Sequence, residues 1–107
     1  MSNMFIAIFC TCPNNNTATK LANKFIQAKL AACVSIIPGI ESVYTWEEKI
    51  ETNKEFQLII KTTEAAYKKV EELIKNNHPY LCPEIIAIPI KYGSKEYLTW
   101  LKQTIIT

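Results

Sequence analysis

Met4 to Cys10 is an unbroken apolar run rich in β-formers, and it admits few folds. It falls well short of the roughly 20 residues that a membrane-spanning helix requires. Such a run reads instead as an inner β-strand covered on both faces. Pro13 and the Asn14-Asn15-Asn16-Thr17 cluster stop it and offer several side chains for a helix N-cap.

The pattern then changes period. Ala18, Leu21, Ala22, Phe25 and Ile26 recur at helical spacing, with Lys20, Asn23, Lys24 and Gln27 between them, so one stripe packs and the other is wet. Leu30 closes this first helix. A second strand begins at Ala31, bends at Pro38-Gly39 and resumes through Ile40 to Trp46; Pro with Gly inside a strand marks a bulge or an edge. Glu47 to Lys54 reads as the polar tip of a hairpin, and Glu55 to Thr62 as the return strand, with Phe56, Leu58 and Ile60 facing opposite to Glu55, Gln57 and Lys61.

Thr62-Thr63-Glu64 is the expected start of a second helix, whose apolar stripe is Ala66, Tyr67, Val70, Leu73 and Ile74. Pro79 ends it. Glu84 to Ile90 is a fourth strand, apolar on both faces, and Gly93-Ser94 opens a short third helix containing Tyr97, Leu98, Trp100 and Leu101. The order is β-α-β-β-α-β within one α+β domain, residues 1–107. Two helices cover one face of a four-stranded sheet. The other face also looks apolar and calls for a cover, of which a second copy of the chain is the simplest.

Charge excludes several partners. All 12 basic residues are Lys, and the net charge is +2. Without the planar guanidinium that reads phosphates and base edges, and with so small a charge, nucleic acid and membranes are not expected partners. No basic stretch precedes the first apolar run, so the expectation is a cytoplasmic protein with reduced cysteines.

Few residues carry chemistry. Cys10 and Cys12 stand two apart and face the same side of an extended strand, a pair that suits soft cations such as Cu(I) or Zn(II), although two small residues at a strand end also satisfy the pattern. Cys33, inside Leu30-Ala31-Ala32-Cys33-Val34, reads as a small core residue. His78 is the single histidine, in a turn where its ring either caps the preceding helix or ligates a metal. Tyr44 and Trp46 share one side of a strand close to Glu47, Glu48 and Glu51. The aromatics line a pocket or an interface, and the carboxylates bind a hard cation or simply meet solvent. The chain has no Asp, no triad motif and no phosphate-cradling glycine loop, so an enzyme is not expected.

Several segments together resemble the CutA divalent-cation tolerance family. They are Cys10-Thr11-Cys12-Pro13, Leu30-Ala31-Ala32-Cys33-Val34, Ser42-Val43-Tyr44-Thr45-Trp46-Glu47, Ile60-Lys61-Thr62-Thr63, His78-Pro79-Tyr80, Pro83-Glu84-Ile85-Ile86 and Tyr97-Leu98-Thr99-Trp100. The resemblance implies a ferredoxin-like sandwich with a short C-terminal helix, assembled as an intertwined homotrimer. It also implies a response to divalent metals, with copper or another divalent ion as the proposed ligand and no obligatory cofactor. On the family pattern Cys10 and a pair of histidines before Pro-Tyr are the proposed copper ligands. Here His78 matches the second of that pair, Asn77 replaces the first, and Cys12 adds a thiol.

Tyr44, Trp46, Lys61, Tyr80, Glu84, Tyr97 and Trp100 resemble residues gathered near the family's subunit interfaces. An inter-subunit cleft of this kind suits a small ligand or a partner protein, as in the PII signalling type, by analogy of fold. A structural trimer with an indirect metal phenotype is the third reading.

Overall fold

The computed structural model describes residues 4–105. In chain order the elements are β1 (Phe5–Cys12), α1 (Asn15–Gln27), β2 (Cys33–Trp46), β3 (Lys49–Thr63), a 3-10 turn (Glu64–Ala66), α2 (Tyr67–Asn77), β4 (Ile86–Pro89) and α3 (Lys95–Thr104). The four strands form one sheet in the order β2-β3-β1-β4, with every neighbouring pair antiparallel. The fold is α+β, with the expected order of elements.

Strand β1 lies inside the sheet and alternates in burial. Ile6, Ile8, Cys10 and Cys12 face the helices and are buried, while Phe5, Ala7, Phe9 and Thr11 face the other way and are half-buried. The strand runs to Cys12 rather than stopping at Cys10, because pairing with β3 continues to Cys12 opposite Phe56. Leu58 and Ile60 of β3 share the helix face. With Ala18, Leu21 and Phe25 of α1 and Val70 and Ile74 of α2 they make one core. Burying Phe25 in full is worth roughly 3 kcal/mol relative to leaving it exposed.

The ends of α1 follow local chemistry. The Asn14 side chain accepts a hydrogen bond from the Thr17 amide at 2.8 Å, which fixes the start. At the other end Lys29 adopts φ 58°, and the Leu30 amide donates to the Phe25 carbonyl at 2.9 Å. This is a Schellman closure with Lys in the left-handed position. Leu30 is therefore the buried residue beyond the helix and not its last member. Ile26, expected on the packed stripe, lies at its margin and is exposed.

The second helix departs from expectation at its start. Thr63 belongs to β3, makes no side-chain cap, and leaves its buried Oγ1 without a partner among the described residues; a 3-10 turn intervenes before α2. Strand β4 is shorter than expected, and Pro89 is tolerated because β4 is an edge strand.

The largest correction is the hairpin. The segment expected as a polar tip from Glu47 to Lys54 is strand: β2 and β3 pair out to Trp46 opposite Lys49 and leave only Glu47 and Glu48 in the turn. Both have positive φ, 51° and 66°, as a two-residue turn matching strand twist demands. The Pro38-Gly39 break is a bulge, with the register shifting between Ile37 and Ile40 and Gly39 at φ 75°.

The second face is partly covered. Helix α3 comes to it near Cys33, buries Leu101 in full, and places Tyr97 within hydrogen-bonding reach of the Cys33 thiol. Cys33 is thus half-buried on this face and not part of the helix-side core. Ile86 and Ile88 of β4 remain 55% and 51% exposed. No helix among the described residues is long and apolar enough to cross a membrane.

Two Glu residues in left-handed conformations carry a cost. Replacing Glu47 with Asn and Glu48 with Gly is expected to stabilise the chain by about 1–2 kcal/mol, since these residues accept positive φ. Urea titration at fixed protein concentration measures it, and an unchanged or lower midpoint contradicts the turn assignment.

Candidate metal centre and adjoining cleft

Parity along β1 places two sets of side chains back to back. Cys10 and Cys12 point to the helix face, both fully buried, and Thr11 between them points to the other. Helix α2 ends directly above the two thiols. Its closing backbone bond runs from the His78 amide to the Ile74 carbonyl at 2.9 Å, which frees the His78 ring from any capping duty. The two Sγ atoms and a ring nitrogen of His78 lie within 4.8 Å of one another. Among the described residues Glu47, Glu48 and Glu51 join no comparable group. Asn77 is exposed and donates to the Leu73 carbonyl at 2.8 Å.

The His78 ring is held at both nitrogens. The Tyr80 amide, which can only donate, meets Nδ1 at 3.1 Å. The Thr11 carbonyl, which can only accept, meets Nε2 at 2.7 Å. These contacts select the tautomer protonated at Nε2. Ligation by His78 requires one of these bonds to be exchanged for the metal.

The thiols act on each other. A hydrogen bond between them, followed by burial, pushes the Cys10 thiol well above the usual thiol range. The same bond lowers Cys12, against burial and the nearby Glu55, which act in the opposite direction. The pair gives up its first proton from Cys12 and holds the second on Cys10. All four cysteines are free thiols, with Cys82 exposed. Two soft donors and an imidazole at this spacing fit a soft or borderline cation better than an oxygen-seeking one.

Across β1, a cleft of about 470 Å³ is lined by Thr11, Ile40, Ser42, Tyr44, Trp46, Glu55, Gln57, Tyr80, Leu81, Cys82 and Glu84. It gathers Tyr44, Trp46, Tyr80 and Glu84 of the expected cleft residues. Lys61, Tyr97 and Trp100 stand elsewhere: Lys61 pairs with Ala7, four residues back along β1 from Thr11, and its Nζ donates to Ser35 Oγ at 2.6 Å. Tyr97 and Trp100 pack with ring centroids 5.6 Å apart on α3.

The residue that sequence reasoning missed is Glu55. It is only 5% exposed, and its Oε2 accepts from the Tyr80 hydroxyl at 2.5 Å. Burial first, then the Glu55 bond, raises the Tyr80 phenol above its ordinary range. A polar stripe of Glu55 and Gln57 on an inner strand was the available signal, because a charge on a sheet face is tolerated only beside a polar cavity or partner.

An α+β domain with a split β-α-β sheet and a thiol–imidazole cluster at the end of its inner strand is the class that fold and site define. Residues 6–104 match the model of the CutA1 divalent ion tolerance protein, and the chain belongs to that family. It is 50% identical over 99 residues to the chloroplastic protein CutA of Arabidopsis thaliana, covering 92% of this chain and 54% of that protein, so it spans about half the length of the plant relative. With the divalent-cation tolerance protein CutA of Escherichia coli (strain K12 / DH10B) it shares 41% identity over 100 residues, 94% of this chain and 89% of that one. The crystal structure of CutA1 from Oryza sativa superposes with a TM-score of 0.94 at 48% identity, covering 98% of each chain.

Tyr80→Phe is expected to destabilise the chain by about 1–3 kcal/mol, because it leaves the buried Glu55 carboxylate short of a donor. Since the folded-state phenol is raised above its unfolded value near 10.0, the stabilisation it carries is complete below that pH and is lost as pH rises beyond it. The gap between parent and variant therefore narrows above that value. A gap that stays constant in urea titrations across the alkaline range contradicts the assignment.

Proposed function

We propose that the chain is a non-enzymatic, cytoplasmic homotrimer that handles divalent or soft transition-metal ions, copper foremost, through Cys10 and Cys12 with His78 as third donor. The observation that carries this reading is the meeting of all three donors within 4.8 Å in a single chain. Cys12 compensates for the position where Asn77 replaces a histidine. The two thiols supply the soft donors, Cys12 giving up its proton first, and His78 completes the set by releasing either Thr11 or Tyr80. The trimer is supported by the apolar face of β4, where Ile86 and Ile88 need a cover. Membership of a divalent-cation tolerance family agrees with a metal-related role.

Titration of the reduced protein with Cu(I), Cu(II) and Zn(II), with mass in solution recorded, tests it. Saturable binding to a trimer is expected, with Cys10→Ser weakening Cu(I) by at least about tenfold, as expected of losing a metal-oriented donor. His78→Ala has the smaller effect because its ring is already satisfied. Equal affinity in parent and Cys10→Ser sinks the site.

A second reading is favoured by the aromatic cleft: a regulatory trimer of PII type that takes a small ligand or partner between subunits. This reading expects ligand-dependent thermal stabilisation that survives Cys10→Ser, and a metabolite screen measures it. Trimers that bind neither metal nor ligand leave a structural role with an indirect metal phenotype.

A further inference from the structure

The cleft has a chemistry of its own. Among the described residues its carboxylates are Glu55 and Glu84, and no Lys lines it. Among the described residues no Lys pairs with Glu55, and no hydrogen bond reaches its Oε1, although the residue is 95% removed from solvent and its other oxygen is held by Tyr80. A carboxylate so placed has one acceptor unspent and faces a cavity. The remaining walls are aromatic: Tyr44, Trp46 and Tyr80. Aromatic faces attract cations through their quadrupole, and the two carboxylates repel anions. About 470 Å³ lies within the range of small-molecule sites.

From this we infer that the cleft binds a small organic cation of the alkylammonium class. The ammonium head donates to Glu55 Oε1, and its alkyl body lies against Trp46 and Tyr44. The inference rests on the ligand-binding reading above and names the ligand's class. Its residues are distinct from the thiol cluster, which is buried on the opposite face of β1.

The test uses the 107-residue chain with pentylammonium as probe, pentanoate as its charge-reversed counterpart and pentanol as the neutral one. Two signals are followed: tryptophan fluorescence, and the rate at which iodoacetamide alkylates Cys82, which is exposed and lines the cleft. Pentylammonium is expected to slow alkylation saturably and to shift the emission, equally in Cys10→Ser. Glu55→Gln should weaken it by about tenfold or more, the value of a charged hydrogen bond. Trp46→Ala, at a surface residue 47% exposed, should weaken it about two- to fivefold through lost contact with the alkyl body. Pentanoate or pentanol protecting as well as pentylammonium, or an unchanged affinity in Glu55→Gln, overturns the cation assignment while leaving the cleft a ligand site. Protection by none of the three overturns the cation and counts against the ligand reading as well.

Discussion

Pairing between β1 and β3 sets the position of every group with chemical potential in this chain. Because successive side chains on a strand alternate, the register that puts Cys10 opposite Leu58 also puts Thr11 opposite Gln57. Both thiols then face the helices, and Thr11 with Glu55 and Gln57 faces away. A slip of a single residue would expose the thiols and bury the carboxylate's side in the core. The hydrophobic alternation of Ile6, Ile8, Leu58 and Ile60 forbids that slip, since each would lose its place under α1 and α2.

Much of this was legible in the sequence because it depends on period and punctuation. A cap within the Asn14–Thr17 cluster, the Pro38-Gly39 bulge, the shared face of Cys10 and Cys12 and the stripes of both helices are local signals. The hairpin was misjudged for a physical reason: Glu-Glu carries none of the Asn-Gly or Gly-X chemistry that announces a two-residue turn, and pairing along long strands held it in place regardless. Thr63 looked like a cap because its neighbours are Thr and Glu, yet the sheet claimed it first. The burial of Glu55 and the double hydrogen bonding of His78 were beyond reach. Both depend on partners far along the chain, Tyr80 for Glu55 and Thr11 for His78.

Tyr80 and Thr11 stand where the two sites meet. The Tyr80 amide holds His78 Nδ1 while its hydroxyl holds Glu55, so one residue orients a member of each site. Thr11 gives its carbonyl to His78 and its side chain to the cleft wall. If an ion takes His78 Nδ1 from the Tyr80 amide, the Tyr80 segment is released from one anchor. Occupancy on one side of β1 thereby acquires a physical route to the shape of the other.

The bulge at Pro38-Gly39 divides β2 into halves with different surroundings. Below it, Cys33 to Ile37 pair with core-bearing residues of β3; above it, Ile40 to Trp46 pair with Lys49 to Glu55 on a ribbon that extends from the body of the chain. A two-stranded ribbon holds poorly by itself. Its amides can open to hydrogen exchange as a unit while the lower half stays closed, with the break in the ladder as the boundary between them. The aromatic wall of the cleft sits on the half that opens, which makes the local unfolding free energy of the ribbon a term in the affinity of anything held there.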